Sequence, residues 1–262
     1  MNGWWILVGL SIFLIGVTKS GFGAGTGLLI VPLTALSMDH IPGRGSEAAL
    51  GLMLPLLIAG DIIALWQYRR LFSLQQVKGL IFSTLLGVAA GGFLLWTFHQ
   101  LTQIVGAIIL IIIGVESVVL VSIHWHLSRR GADVRLLREP LRSHLTGLYA
   151  GASSTLAHAA GPIITMYLLP LRLDRRIFVG TCAVYFFLLN TAKMPAYILA
   201  HQFDKAEPTL SLRFLPLVVA GALFGVWINR RMNDRTFTKI IHVLTFLLGW
   251  YLLGDGLLKL FR

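Results

Sequence analysis

The sequence predicts an all-α polytopic membrane protein, and two observations support this. The first is composition: 56% of the 262 residues are hydrophobic and 13% are charged, whereas a soluble domain has about 25% charged residues. The second is the length of the apolar runs, several of which approach or exceed the roughly 20 residues that a membrane-spanning helix needs. Residues 103–123 form one such run, with Glu116 as its only charge. We therefore expect a single transmembrane domain over residues 1–262.

Six long helical spans and two broken segments account for this domain. The long spans are predicted at about 46–68, 77–98, 103–125, 177–199, 212–230 and 237–258. The other two segments, about 4–37 and 143–171, are too long for one crossing: the first would measure on the order of 50 Å as a helix, against a hydrocarbon core of about 30 Å. Each is interrupted near its middle, which predicts a pair of short helices that form either a re-entrant hairpin or two thin crossings.

The interruptions occupy matching places in the two halves of the chain, at Thr18–Gly27 and Ser153–Pro162. Paired breaks of this kind point to the binding site of a secondary transporter. Other matches share their spacing between the halves: Gly51, Asp61 and Tyr68 with Gly180, Asn190 and Tyr197. The predicted fold is therefore two inverted-topology repeats, each a broken or re-entrant helix pair plus three transmembrane helices, with about 8 to 10 membrane segments in all. Repeat one covers about 1–125, a cytoplasmic linker about 126–142, and repeat two about 143–262.

The positive charges of the loops predict the orientation. If each broken segment returns to the side it left, fifteen basic residues lie on one side of the membrane and five on the other. If each crosses once, the split is twelve and eight. Since basic residues accumulate on the cytoplasmic side, the first arrangement is favoured, with the N-terminus outside. The net charge of +11 is explained by these loops without nucleic-acid binding.

Lys19 opens the first interruption and is followed by the glycines Gly21, Gly23 and Gly25. An ionisable group at membrane depth costs roughly 2.5–3.5 kcal/mol on insertion scales, so it indicates a functional site. Glycines let a backbone approach a ligand closely, and the helix that restarts after them presents a positive end that binds anions. The alternative is that Lys19 reaches an interface or pairs with Asp61 as a purely structural contact.

A polar stripe in the second half is the other candidate part of a binding site. Asn190, Lys193 and Tyr197 are spaced i, i+3 and i+7, which places them on one helix face. Phe186 extends the stripe. A second buried lysine on such a stripe indicates a ligand contact, and its alternative role is that of a structural partner for Glu116 or Asp61.

Three further ionisable residues are candidates for coupling or counter-ion roles: Asp61, His158 and Glu116. Asp61 matches Asn190 and is either a proton-coupling carboxylate or the counter-ion of a lysine. His158 precedes the second short helix, where it would contact a ligand or relay a proton. Glu116 lies in the middle of an apolar helix, facing either a cavity of the bundle or a dimer partner.

Sequence signals for catalysis are weak. Ser153-Ser154-Thr155 lacks the glycine context of a nucleophile elbow. The histidines are scattered, the single cysteine forms no metal motif, and no glycine run ends in a lysine as a nucleotide-binding loop would. We therefore expect no enzyme activity, no metal site and no cofactor.

The stretch from Thr18 to Pro32, a lysine followed by glycines and ending in a proline, resembles the break of the sulfite exporter TauE/SafE family of bacterial membrane transporters. Gly161-Pro162 and the pattern Asn190-x-x-Lys193-x-Pro195-x-Tyr197 resemble the family's second half. The resemblance spans nearly the whole chain. One departure is the second interruption, which has fewer glycines than the first.

The resemblance implies transport of sulfite, or of an organosulfonate such as sulfoacetate, across the bacterial cytoplasmic (inner) membrane. Lys19 and Lys193 would neutralise the anionic oxygens, residues 21–27 and Gly161 would offer backbone N–H groups, and Asn190 a side-chain donor. The expected partners are the small anion and the lipid bilayer, and a homodimer is compatible with the sequence. The alternatives are a proton-coupled importer of a related organic anion and an anion channel of the same architecture.

Overall fold

The structure, a computed structural model, describes residues 3–22, 28–99, 105–130, 139–204, 206, 208–229 and 234–261. In this part of the chain all regular structure is helical, which confirms the all-α prediction. A π-helical turn, Thr18–Phe22, extends the first helix, and a short 3-10 turn, Leu169–Leu171, follows the seventh. The α-helices are α1 (Gly3–Val17), α2 (Ile30–Asp39), α3 (Ala48–Gln67), α4 (Leu74–His99), α5 (Val105–Arg130), α6 (Leu141–Ala157), α7 (Ala160–Leu168), α8 (Arg175–Leu199), α9 (Pro208–Asn229) and α10 (Asp234–Leu260).

Six helices within the described residues are long and apolar enough to cross a membrane, which confirms a polytopic membrane protein. Five of them correspond to predicted long spans, namely α3, α4, α8, α9 and α10. The sixth predicted span is helix α5, whose apolar stretch runs from Ala107 to Ile123. The sixth of the helices that are long and apolar enough to cross a membrane is the first arm of the first broken segment, Gly3–Gly21.

Each broken segment contains two short helices, as predicted, and these two arms are unequal in length. Helix α1 and its π-helical turn form a 19-residue candidate span, whereas α2 has 10 residues. In the second segment α6 has 17 residues and α7 has 9. The second interruption is also narrower than predicted, because Ser153–Thr155 stay helical. The Thr155 hydroxyl donates to the Gly151 carbonyl at 2.8 Å, a bond that a helix accommodates.

Each broken segment folds back on itself. In the first, the rings of Trp4 and His40 stack with their centroids 4.4 Å apart. In the second, the Arg142 guanidinium donates to the Tyr167 carbonyl at 2.7 Å. The start of the first arm and the end of the second arm are therefore side by side in both segments, which is the geometry of a hairpin.

The helix contacts of one half recur in the other half when α1–α5 are matched in order with α6–α10. Helix α1 packs against α9, and its counterpart α6 packs against α4, the counterpart of α9. Helix α3 packs against its own counterpart α8, and α5 packs against its own counterpart α10. Glycines allow the closest crossings. A Cβ on Gly87 would lie 2.1 Å from the Leu148 carbonyl oxygen, and a Cβ on Gly221 would lie 2.0 Å from that of Phe13. Small residues of this kind bring helix backbones together in membranes.

Gly221→Ala is expected to destabilise the protein by about 1–3 kcal/mol, because the added methyl group overpacks a backbone contact. Thermal unfolding in detergent would measure the loss. Gly254→Ala is the control, since nothing lies within 4 Å of a Cβ at that position, and its unfolding temperature should be unchanged or slightly higher. Equal unfolding temperatures for Gly221→Ala and the unaltered protein would contradict the close crossing of α1 and α9.

Candidate functional site

The two interruptions meet at a central cavity of about 50 Å³. Its walls come from both halves of the chain. The first broken segment supplies Thr18, Lys19, Leu28, Ile30 and Val31, the second supplies Ser154, His158, Gly161 and Pro162, and the long helices α3 and α8 supply Met53, Leu57, Phe186 and Asn190. Polar and cationic groups therefore share the cavity with an apolar wall.

Helices α2 and α7 both begin at this cavity. Ile30, the first residue of α2, and Gly161, the second of α7, line it. The first N–H groups of a helix have no partner within the helix and form its positive end. Pro32 and Pro162 are each the third residue of their helix, where a missing N–H breaks no intrahelical bond. Two positive helix ends therefore face the same small space.

Asp61 on α3 joins the two halves behind this cavity. Its side chain is fully buried. Lys19 donates to Oδ1 at 2.5 Å, and the Asn190 amide donates to Oδ2 at 2.6 Å. A buried charge is tolerated when it is paired and hydrogen-bonded, and both conditions are met here. Because Lys19 and Asn190 line the cavity and Asp61 does not, the carboxylate positions two donors that face the cavity.

Lys19 is held from a second side by the ring of Phe186. Its ammonium nitrogen lies 4.6 Å from the ring centroid, within the range of a cation–π contact. The side chain keeps 14% of its surface accessible. An ammonium group has three hydrogens to donate, and Asp61 accepts from one of them. Lys19 is thus fixed in position while it retains donor capacity toward the cavity.

Lys193 on α8 occupies a different place from Lys19. It is fully buried and lies behind the cavity wall formed by Ser154 and His158. Its ammonium group donates to the Ser154 carbonyl at 3.2 Å, to the Ser154 hydroxyl at 3.0 Å and to His158 Nδ1 at 2.7 Å. These three bonds use its full donor capacity. In this conformation Lys193 supports the cavity wall and does not line the cavity.

His158 ends α6 in the left-handed backbone conformation, with φ of 51°. Histidine is one of the few non-glycine residues that adopt this region with some frequency. Its Nε2 lies 3.1 Å from the Leu50 carbonyl oxygen of α3. Since a carbonyl only accepts, Nε2 carries a proton and donates. In the neutral ring Nδ1 is then an acceptor, which fits its contact with Lys193.

The remaining predicted residues are distributed as follows. Gly161 lines the cavity. Gly21 packs against α9, where a Cβ would lie 2.7 Å from the Gly225 carbonyl oxygen. Gly23 and Gly25 lie outside the described residues. Glu116 is on α5, away from the cavity lining, and its buried Oε2 has no hydrogen-bond partner among the described residues.

Ser154 is a site residue that the sequence analysis did not single out. A signal for it exists in the matching contacts of the two halves. Gly16 and Gly151 make equivalent contacts, since added Cβ atoms would lie 2.1 Å and 2.2 Å from carbonyl oxygens of α9 and α4. Aligning the halves on these glycines places Ser154 at the position of Lys19. The second half therefore has the Ser154 hydroxyl where the first half has the Lys19 ammonium group. The cation of the second half is Lys193, which lies on α8.

The sequence profile of the sulfite exporter TauE/SafE family matches residues 8–252. The chain belongs to this family. No curated protein and no solved structure matches it. The TauE/SafE family is one of membrane transporters, and it indicates sulfite-type anions as the transported class. The match covers both interruptions and all residues that line the cavity.

Lys19→Met is expected to lower the free energy of unfolding by about 3–5 kcal/mol, because it leaves the Asp61 carboxylate buried without its cation. Adding Asp61→Asn should recover most of this loss. Thermal or chemical unfolding of both variants in detergent would measure it.

Lys259→Met is the matched control for the loss of one lysine charge. Lys259 contacts Asp39 and Asp255 and its side chain is 38% exposed, so its removal should cost less than about 1 kcal/mol. If Lys19→Met and Lys259→Met unfold alike, Asp61 does not depend on Lys19.

Proposed function

We propose that the protein is a secondary transporter that exports a small sulfur-containing oxyanion, such as sulfite or an organosulfonate, across the cytoplasmic membrane. One observation carries the proposal: Lys19 and Asn190, one from each half, are both tied to Asp61 and line one cavity. The family to which the chain belongs supports the same class of substrate.

The charges around the cavity favour an anion. Lys19 and Lys193 contribute two positive charges, and Asp61 contributes one negative charge. Two helix N-termini add partial positive charge on the cavity side. A surplus of positive charge in a poorly solvated site attracts an anion, and a bound monoanion would bring the sum to zero.

The size of the cavity favours a small anion. A cavity volume of about 50 Å³ is a few times the roughly 10–15 Å³ that a cavity needs to hold one water molecule. An ion of the size of sulfite suits such a space. A longer organosulfonate such as sulfoacetate requires a wider conformation, with its carbon chain against Phe186 and Met53.

The architecture that we propose is a pair of inverted repeats, α1–α5 and α6–α10, with the site between them. The exchanged packing of the halves and the hairpin form of both broken segments support it. Transporters with this design move one repeat or bundle against the other around a fixed central site. Lys19 and Asn190 line the cavity, where such a movement would expose them alternately to the two sides.

Anion binding is the first test. Thermal unfolding of the purified protein would be measured with sulfite, sulfate, thiosulfate, sulfoacetate, taurine and acetate. A bound anion at 100 times its Kd stabilises the folded protein by roughly 2.7 kcal/mol. We expect stabilisation by a sulfur oxyanion, its loss in the Lys19→Met/Asp61→Asn variant and its retention in Lys259→Met. If no anion stabilises the protein, or if the double variant responds like the unaltered protein, the proposed site is wrong.

Orientation is tested by cysteine labelling in a Cys182→Ala background, since Cys182 is the only cysteine. Asp204→Cys and Arg69→Cys place thiols at exposed positions in loops that the inverted repeat assigns to opposite sides. A membrane-impermeant maleimide should label Asp204→Cys in intact cells and Arg69→Cys after permeabilisation only. Labelling of both in intact cells, or the reverse pattern, would rule out the orientation with the N-terminus outside.

A further inference from the structure

We propose that Lys193 and His158 form a proton-carrying pair, and that each anion moves across the membrane together with one proton. The inference rests on the proposed function, since it concerns the same cavity. It is carried by the 2.7 Å contact between Lys193 Nζ and His158 Nδ1 and by the balance of buried charges around it.

The contact joins two basic nitrogens through a single shared proton. With Nε2 donating to Leu50, Nδ1 of neutral His158 accepts from the Lys193 ammonium. If the proton moves, the bond from Nζ to hydrogen breaks and a bond from Nδ1 to hydrogen forms. The positive charge passes to the imidazolium, and the neutral amine accepts from Nδ1–H. Neither side chain has to change position, because the hydrogen bond persists with donor and acceptor reversed.

His158 is the member of the pair that water can reach. His158 lines the central cavity, whereas Lys193 is fully buried behind it. When the cavity opens, the imidazolium releases its Nε2 proton to water and keeps the proton on Nδ1. Nε2 then gives up its hydrogen bond to the Leu50 carbonyl and accepts from the Tyr197 hydroxyl, which lies 3.4 Å away. The product is a neutral imidazole that donates to a neutral lysine amine. A proton that resides on Lys193 thus leaves through the ring of His158 without exposure of Lys193.

The charge balance links this proton to the anion. The ionisable groups that face the pair are Lys19 from the π-helical turn, Asp61 from α3 and Tyr197 from α8, while Glu116 of α5 lies on the side of α6 that carries Ser153. With the proton bound and the cavity unliganded, Lys19, Lys193 and Asp61 sum to one positive charge. Burying a net charge is costly. A monoanion removes the surplus, and so does release of the proton.

The transporter is therefore expected to change conformation readily in its two neutral states. In one state both the anion and the proton are bound, and in the other neither is bound. Net transport would be electroneutral for a monoanion, and its direction would follow the combined gradients of anion and proton. Exchange of one anion for another differs from net transport, because the carrier returns loaded and the proton can stay on the pair.

Proteoliposomes with equal pH on both sides provide the test. Exchange of labelled for unlabelled sulfite is compared with net sulfite efflux. Both are measured at zero membrane potential and at a membrane potential clamped with potassium and valinomycin. Efflux from protein-free liposomes is subtracted. For the unaltered protein at a mildly acidic pH, where the hydrogen sulfite monoanion predominates, net efflux should not respond to the potential.

His158→Asn removes the proton acceptor and retains the local geometry. The Asn Oδ1 replaces Nδ1 as acceptor for Lys193, and Asn tolerates the left-handed backbone conformation. Lys193→Arg is the second variant, because a guanidinium does not release its proton. In both variants exchange should fall severalfold at most. Net efflux at zero potential should fall by about a hundredfold, the usual order for loss of a positioned proton-transfer group, and the remainder should respond to potential.

His201→Asn is the matched control. His201 is exposed, has a φ of 53°, and contacts Asp204, so this variant should behave as the unaltered protein in both assays. If net efflux and exchange fall together in His158→Asn and Lys193→Arg, the pair is structural and the proposal is overturned. It is also overturned if neither rate changes, or if potential accelerates net efflux by the unaltered protein. Absence of exchange in the unaltered protein would instead refute sulfite transport itself.

Discussion

The centre of the structure depends on the burial of one carboxylate. Asp61 is fully buried, and such a group is stable when a cation and hydrogen-bond donors surround it. Lys19 supplies the cation to one oxygen and Asn190 an amide to the other. Because these two residues come from different halves of the chain, satisfying the carboxylate also fixes how the halves meet. The broken segment that carries Lys19 must therefore come to rest against α3 and α8.

The need to satisfy buried polar groups also explains why the helices are interrupted at the cavity. Backbone groups released by a broken helix cannot face lipid, but they are tolerated where they line a cavity or are buried in protein. Helices α2 and α7 begin at the cavity. Tyr68 and Tyr197 donate to the carbonyls of Ser20 and Thr155, in the two broken segments, at 3.0 Å and 2.7 Å. The residues around the cavity are thus also the ones that make the irregular backbone stable.

The two lysines have different roles in the anion site that we propose. Lys19 borders the cavity between Asp61 and Phe186 and retains donor capacity, whereas Lys193 is saturated by Ser154 and His158. A single lysine paired with Asp61 would leave the site neutral and indifferent to charge. In the mechanism that we propose, the second lysine supplies the positive charge that favours an anion, and its contact with His158 lets that charge leave as a proton.

The sequence by itself determined the membrane spans, the two interruptions, and the matched positions of Asp61 and Asn190, because hydrophobicity, helix length and internal spacing are local properties of the chain. Tertiary structure alone decided which groups touch. Spacing places Lys193 on the same helix face as Asn190, yet only the tertiary contacts of Lys193 with the end of α6 put Ser154 and His158 between Lys193 and the cavity. Likewise, Thr155 stays helical and Glu116 lies apart from the site because helix packing fixes their neighbours. A helix's pattern of residues defines its faces, and its rotation against other helices decides what each face meets.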